Sequence, residues 1–398
     1  EHTPTLQKLM EEGLNFTNFY TPVYGGIRTF NTEFTINTGS FLSSQGGYAF
    51  DYVTNSYNQS LANQLRQVGY SAKTFHYNNP SFYSRGEFSP AMGYEEYVCY
   101  ADYITETDEK ARNNLLYDDL LLFDNEELNR EFFREGQPTL NFVITRSAHL
   151  SYKYNEVLSH WGLKKYPHYR GLTGNEETDC AYLKAKLVDD FFVRLLEELE
   201  EKGQLENTVI IGVTDHYTYG YKDMDSLLAL SGVEDEILLE KTPCFIWSAD
   251  CPDIEVTKTM NTADLLPTVL NLLGIDSPYD YLGQDGYSIE VLNESGLEED
   301  SLFIEYDGVK YAILFNNCFE EFYPEYEEDI YFMLREVRDI FAGKKCAALL
   351  YYNADGFLKL LASGFMKEKE VKGKKAEEVF RYIYMANTLA ERIKVNGG

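Results

Sequence analysis

Residues Thr208–His216 read TVIIGVTDH, and Leu140–Arg146 read LNFVITR. Both runs are short, continuous and rich in branched side chains, as strands buried on both faces of a parallel sheet require. Between them, at intervals of four, stand Leu183, Leu187, Phe191, Leu195 and Leu199, the apolar stripe of a long helix over Asp179–Lys202. Strand, helix and strand make a βαβ unit with a right-handed crossover. The expected fold class is α/β, a mostly parallel central sheet flanked by helices.

The same grammar extends outward. A helix over Thr5–Glu12 leads to a strand over Leu14–Phe19, and a helix over Leu61–Val68 leads to a strand over Tyr70–Phe75. Pro243–Ser248 reads as another strand. Thr262–Leu273 reads as a helix, with Asp264 in its first turn and Gly274 at its stop. After about Ser295 the texture changes. LFIEYDGVKYAILF carries Asp307-Gly308 between alternating runs, a strong hairpin signal, and AALLYYNADGFLKLL is a second candidate. An acidic, Tyr-rich helical stretch (Tyr323–Phe341) separates them, and from Met366 onward eight Lys and Arg stand against five Glu. The expected organisation is a catalytic domain over 1–294 and a smaller antiparallel α+β subdomain, with a basic helical tail, over 295–398.

Of 398 residues, 35 are Lys or Arg and 65 Asp or Glu, for a net charge of −30. With 44% hydrophobic and 15% aromatic residues the chain is expected to fold. The charge excludes wrapping a nucleic-acid backbone, which needs clustered cations. It leaves room for a small anionic substrate, because a local pocket can oppose the global field. The six cysteines form no C-x-x-C pair, which argues against a zinc ribbon; Cys244 and Cys251 are the nearest two, and their redox state stays open. No apolar run reaches the ~18 residues of a bilayer span, and no signal peptide is present. The opening EHTPTLQKLMEEG starts abruptly in what reads as mid-fold, the expectation being an excised domain.

Four segments carry candidate chemistry. In open α/β sheets ligands bind beyond the carboxyl ends of the strands. Asp215-His216 stands at one such end, either as a pair of ligands for a divalent ion or as a turn beside a solvated histidine. His149, in TRSAHLSY, follows the other strong strand and would face the same crevice. In YGGIRTFNTEF, Thr29 precedes a helical segment, where backbone N–H groups and the helix dipole suit a phosphoryl group; its plainer role is an N-cap, with Arg28 a surface cation. A threonine nucleophile would need a metal or base. In HYNNPSFYSR, His76, Asn78, Tyr83 and Arg85 suit a phosphate or polyol, the guanidinium by bidentate contact and the ring by packing.

The order of these motifs resembles the lipoteichoic acid synthase family of bacterial phosphoglycerol transferases, within the sulfatase and alkaline-phosphatase superfamily. TPTLQKLMEEGLNFTNFY is similar to that family's opening TP-x-L element, IRTFNTEF to its nucleophile motif and FHYNNPSFYSR to its M-H-G…F-W-N-R segment. SAHLSY resembles N-H-x-P-F/Y, VTDHYTYG the metal-binding G-D-H-Y-G, and TADLLPTVLNLLGI the D-x-x-P-T helix. YLGQDGYS is similar to the turn that follows; the match runs in collinear order from Thr3 to Ser288.

The resemblance implies an alkaline-phosphatase/sulfatase-like sheet and a metal-dependent enzyme moving glycerophosphate from a phosphatidylglycerol-like lipid to a polyol or glycolipid acceptor. It implies that Thr29 is the nucleophile, and that Thr29, Asp215 and His216 hold one Mn²⁺ or Mg²⁺. His149 would bind substrate or protonate the leaving group, Arg85 and Tyr83 would hold phosphoglycerol, and His76, Asn78 and Arg28 would lie nearby. It also implies the outer face of a bacterial membrane, reached through N-terminal helices. The family's metal-binding glutamate lies on a first strand ahead of the TP element and is not in this sequence. Tyr83 replaces a tryptophan, Asn78 an aspartate and Phe30 a serine, and no Cys/Ser-x-Pro-x-Arg sulfatase motif stands near Thr29. The competing readings are a phosphodiesterase or phosphoethanolamine transferase of the same superfamily, or a surface binding domain without catalysis. The basic stretch Lys367–Lys375 would either touch anionic lipid or end a solvated helix.

Overall fold

The structure is a computed structural model of the chain. It describes residues 2–21, 28–40, 49–104, 118–234, 236–251, 253–257, 259–279, 281, 283, 301–306 and 309–314, without the side chains of 28, 51, 237 and 301–314. The second hairpin, the Tyr-rich stretch and the basic tail expected from the sequence lie outside these residues.

Helix α1 (Pro4–Glu11) leads to strands β1 (Leu14–Phe16) and β2 (Phe19–Tyr20), so the single strand expected over Leu14–Phe19 is two short ones. Helix α2 (Arg28–Thr38) follows, then α3 (Leu61–Gln67), β3 (Ser71–His76), α4 (Arg85–Ala91) and β4 (Glu96–Cys99). Next come α5 (Leu121–Asp124), α6 (Glu126–Phe132), β5 (Thr139–Val143), α7 (Val157–Lys165), α8 (Glu176–Glu201) and β6 (Ile210–Val213). Helix α9 (Met224–Ser231), strands β7 (Cys244–Trp247), β8 (Ile254–Val256) and β9 (Met260–Asn261), and helix α10 (Thr262–Leu272) precede the hairpin β10 (Ser301–Tyr306) and β11 (Val309–Leu314). That hairpin pairs Tyr306 with Val309, as a two-residue Asp-Gly loop requires.

The strands form a parallel sheet ordered β4-β3-β5 and a mixed sheet ordered β6-β7-β1-β8, besides the pairs β2-β9 and β10-β11. β7 runs antiparallel to both β1 and β6. Here the sequence reading needs correction. The runs at Leu140–Arg146 and Thr208–Thr214 are strands, but among the described residues they do not share a sheet: β5 and β6 each end one. They flank a cavity of about 1460 Å³, and every residue of β5 is only half-buried. A continuous apolar run reports burial, not the identity of its neighbour, and so it cannot distinguish a pair from two facing edges.

Helix α8 ties the two sheets together. Asn175 caps it by accepting from the N–H groups of Glu177 and Thr178, and Glu176, Glu177 and Asp179 in its first turn complement the dipole. Its buried Phe191, Leu195 and Leu199 share one cluster with Phe75 and Val98 of the first sheet and Phe245 and Trp247 of the second. Each such side chain contributes roughly 2 kcal/mol of burial free energy. On the opposite face α3 and α10 cover β1 and β7, through Leu61, Leu65, Leu266 and Val269. The result is an α/β/α layering whose strand ends open on one side. Gly212 of β6 is required by close approach: a Cβ there would stand 2.2 Å from the Phe245 ring.

Candidate active site

Helix α2 begins beside the loop that follows β6. Thr29 lies in its first turn and lines the same cavity as Asp215, whose carboxylate its hydroxyl helps to keep ionised. One turn on, the Thr32 hydroxyl donates to the Asp215 carbonyl at 2.7 Å, and Thr21 donates to the Thr214 carbonyl at 3.2 Å. Backbone and side chain of Asp215 are therefore both fixed against α2. His216 Nε2 stands 3.1 Å from Asp215 Oδ2. Its Nδ1 donates to the Tyr217 carbonyl at 2.8 Å, which fixes the ring and leaves Nε2 facing the Asp215 carboxylate. Enclosure in the cavity works against charge on Asp215, yet the His216 ring and the Thr29 hydroxyl outweigh it and hold the carboxyl below its usual range.

This donor set can be tested against a divalent cation. A hydroxyl, a carboxylate and an imidazole nitrogen converge, with the histidine tautomer fixed by a backbone carbonyl as metal-ligating histidines usually are. Those donors fit one hard or borderline ion but supply fewer protein ligands than a complete site. Among the described residues no group of three or more His, Cys, Asp or Glu side chains could hold a metal.

The loop after β5 brings His149 to the same cavity. Its Nδ1 donates to the Leu150 carbonyl at 2.8 Å. Burial, with Arg146 nearby, holds the imidazolium below its ordinary range, so the ring is neutral at pH 7. The loop is anchored at its start by Asp119, whose Oδ2 accepts from the N–H groups of Arg146 and Ser147 at 2.7 and 2.8 Å, and from the Ser147 hydroxyl at 2.6 Å. Asp119 is fully buried, and burial pushes its carboxyl up to about 6.

Arg85 opens α4, and only 2% of it is exposed. Its Nε donates to Glu33 Oε2 at 2.9 Å and its Nη2 to Glu33 Oε1, a fork-to-fork pair. The sequence reading of Arg85 as an open phosphate clamp is thus incomplete. Its Nη1 is the buried nitrogen left without a hydrogen-bond partner among the described residues. Glu33 lies four residues after Thr29 on the same face of α2, and burial raises its carboxyl despite the guanidinium. Sequence reasoning gave Glu33 no role, although this i,i+4 spacing was available as a signal. Tyr83 lies 5.0 Å below the Arg85 guanidinium, on backbone with φ 54°; Ser84 follows at φ 50°. Two successive non-glycine residues in the left-handed region mark a strained turn that sets this ring.

The remaining expected residues behave differently. His76, the last residue of β3, is 4% exposed and donates through Nδ1 to the Ile144 carbonyl at 2.6 Å, pinning β3 to the end of β5. Burial and Arg85 push its imidazolium well below the ordinary range. Asn78 Oδ1 accepts from the Asn79 N–H at 3.0 Å, turning that amide toward its own backbone. The Arg28 side chain lies outside the described residues. Cys99, Cys180, Cys244 and Cys251 form no disulfide among the described residues.

The sulfatase family profile matches residues 1–275 of the chain. Lipoteichoic acid synthase 2 of Bacillus subtilis is 26% identical over 297 residues, covering 71% of this chain and 42% of that protein. Lipoteichoic acid synthase of Staphylococcus saprophyticus is 27% identical over 301 residues, 72% of this chain and 44% of that protein. The aligned stretch is thus less than half the length of these curated relatives. The crystal structure of a lipoteichoic acid synthase from Listeria monocytogenes superposes with a TM-score of 0.62 at 16% identity, covering 100% of this chain and 87% of that one. An alkaline phosphatase superfamily protein from Vibrio parahaemolyticus gives 0.53 at 19% identity, over 78% and 69% of the two chains.

Proposed function

The chain belongs to the sulfatase family, and from that premise we propose that it is a phosphoglycerol transferase acting through a phospho-threonine at Thr29. The donor would be a phosphatidylglycerol-like lipid and the acceptor a polyol or glycolipid. One observation carries this reading: Thr29, at a helix N-terminus, lines one cavity with His149 and with the Asp215 carboxylate that meets His216. A neutral alcohol so placed can lose its proton as it attacks, and the helix dipole favours the anionic phosphoryl group beside it.

In the first step Thr29 Oγ bonds phosphorus as its proton passes to the Asp215 carboxylate, the bond to the diacylglycerol oxygen breaks, and that oxygen takes its proton from the imidazolium form of His149, the minor form at pH 7. In the second, an acceptor hydroxyl attacks the phospho-threonine, His149 takes its proton through Nε2, and the Thr29 oxygen leaves, recovering its proton from Asp215. Proton transfer of this kind contributes roughly 10²–10⁴-fold. Thr29, Asp215 and His216 would hold a divalent ion, Mn²⁺ or Mg²⁺, which when bound supplies charge neutralisation for the phosphoryl oxygens. Arg85 Nη1 donates to a substrate oxygen, with Glu33 holding the guanidinium in place, and the Tyr83 ring packs against the glycerol. The acceptor site would face the outer surface of the membrane; the expected domain boundary at 294/295 lies outside the described residues.

Thr29→Ala should abolish diacylglycerol release from a fluorescent phosphatidylglycerol; substantial residual turnover would sink the nucleophile assignment. Comparing water, glycerol and ethanolamine as acceptors separates transferase from phosphodiesterase and phosphoethanolamine chemistry. A second reading, a binding domain without catalysis, draws on the small number of protein metal ligands described. Saturation with Mn²⁺ that leaves no bound metal would favour it.

A further inference from the structure

We propose that Lys184 is a positioning residue for His149. Lys184 lies in α8 and is completely buried. Its ammonium donates to the His149 carbonyl at 2.5 Å and pairs with Glu156 Oε2 at 2.9 Å. Glu156 itself caps α7, accepting from the Ser159 N–H at 3.0 Å. A buried ammonium is costly to desolvate, and a Leu or Met would serve the packing of α8 without that cost. Both of its partners lie on the segment between β5 and α7, so the cation shapes the loop that carries His149.

The geometry shows what that shape does. Asp119 fixes the start of the loop at Arg146 and Ser147, and Lys184 fixes it at His149. Between the two anchors the His149 N–H donates to the Arg146 carbonyl at 3.0 Å. With its carbonyl held by Lys184 and its Nδ1 held by the Leu150 carbonyl, His149 has its Nε2 direction set by these two contacts. This inference rests on the proton-transfer role proposed for His149. Lys184 touches no reacting atom and acts only through that ring.

The test uses the 398-residue chain carrying Lys184→Met, Glu156→Gln, or both. Lys184→Met alone leaves Glu156 uncompensated and should lose stability to denaturant; the double variant should recover most of it. In the double variant the His149 amide should exchange with solvent at least about tenfold faster. Its kcat on fluorescent phosphatidylglycerol should fall about tenfold or more, with KM within about twofold. In a His149→Ala background the same pair of changes should lower kcat no further. Wild-type exchange and kcat in the double variant would reduce Lys184 to a charge partner of Glu156 and overturn the proposal. A further tenfold loss in the His149→Ala background would overturn it too. If the wild-type chain turns over no phosphatidylglycerol, the proposed function fails separately. His149 exchange then decides alone: a tenfold loss of protection supports the anchor, and unchanged protection overturns it.

Discussion

Asp119 offers a perturbation whose size and sign follow from its surroundings. The buried carboxyl titrates at about 6 against an ordinary 3.8, because burial outweighs the three hydrogen bonds its Oδ2 accepts. Between those two values the folded chain binds more protons at this site than the unfolded chain, so stability falls as pH rises. The contribution is fully present below the unfolded value and lost as pH passes the folded one. About two pH units at 1.36 kcal/mol each make roughly 3 kcal/mol. Asn at this position can still accept through its oxygen but does not titrate. The difference in unfolding free energy, Asp119→Asn minus wild type, should therefore rise by about 2 kcal/mol between pH 4 and pH 7. Urea denaturation at fixed pH steps measures it, and the subtraction cancels the opposing titrations of Asp179, Asp190, Glu156 and Asp215, all held low. A difference that stays flat across that window would refute the reasoning.

Glu33→Gln should cost about 3–5 kcal/mol, because it strands a buried guanidinium, and a melting scan showing wild-type stability would contradict the pair. Exchanging both partners for apolar residues should recover much of that stability, while phosphatidylglycerol turnover stays lost. Asp215→Ala should remove both activity and its dependence on Mn²⁺; a variant whose residual rate still follows Mn²⁺ concentration would count against the ligand assignment. Gly212→Val should lower the melting temperature by several degrees, since the new side chain meets the Phe245 ring, and an unchanged melting point would argue against that close approach.

Much of this layout was legible before any coordinates. The stripe from Leu183 to Leu199 announced α8 because helical burial repeats in sequence, and Asp215-His216 followed a strand whose apolar run was unbroken. Thr29 fell in the first turn of its helix for the same local reasons. What escaped depends on contacts distant in sequence. Nothing local to Asp119 or Lys184 discloses the loop after β5 that supplies their partners. Arg85 looked available because nothing local to HYNNPSFYSR discloses Glu33, 52 positions away. The tyrosine abundance also gains a partial reason: Tyr52, Tyr57, Tyr94 and Tyr100 are wholly buried core residues.

The facing edges of β5 and β6 bear on how the isolated chain behaves in solution. Each strand ends its sheet among the described residues, and an unpaired edge is a template on which an extended segment of a second molecule can add. The net charge of −30 makes two copies repel at long range. That protection shrinks as salt rises, since the screening length falls to about 8 Å at 0.15 M. The acidity thus acts as a colloidal safeguard, and light scattering should record self-association that increases with ionic strength.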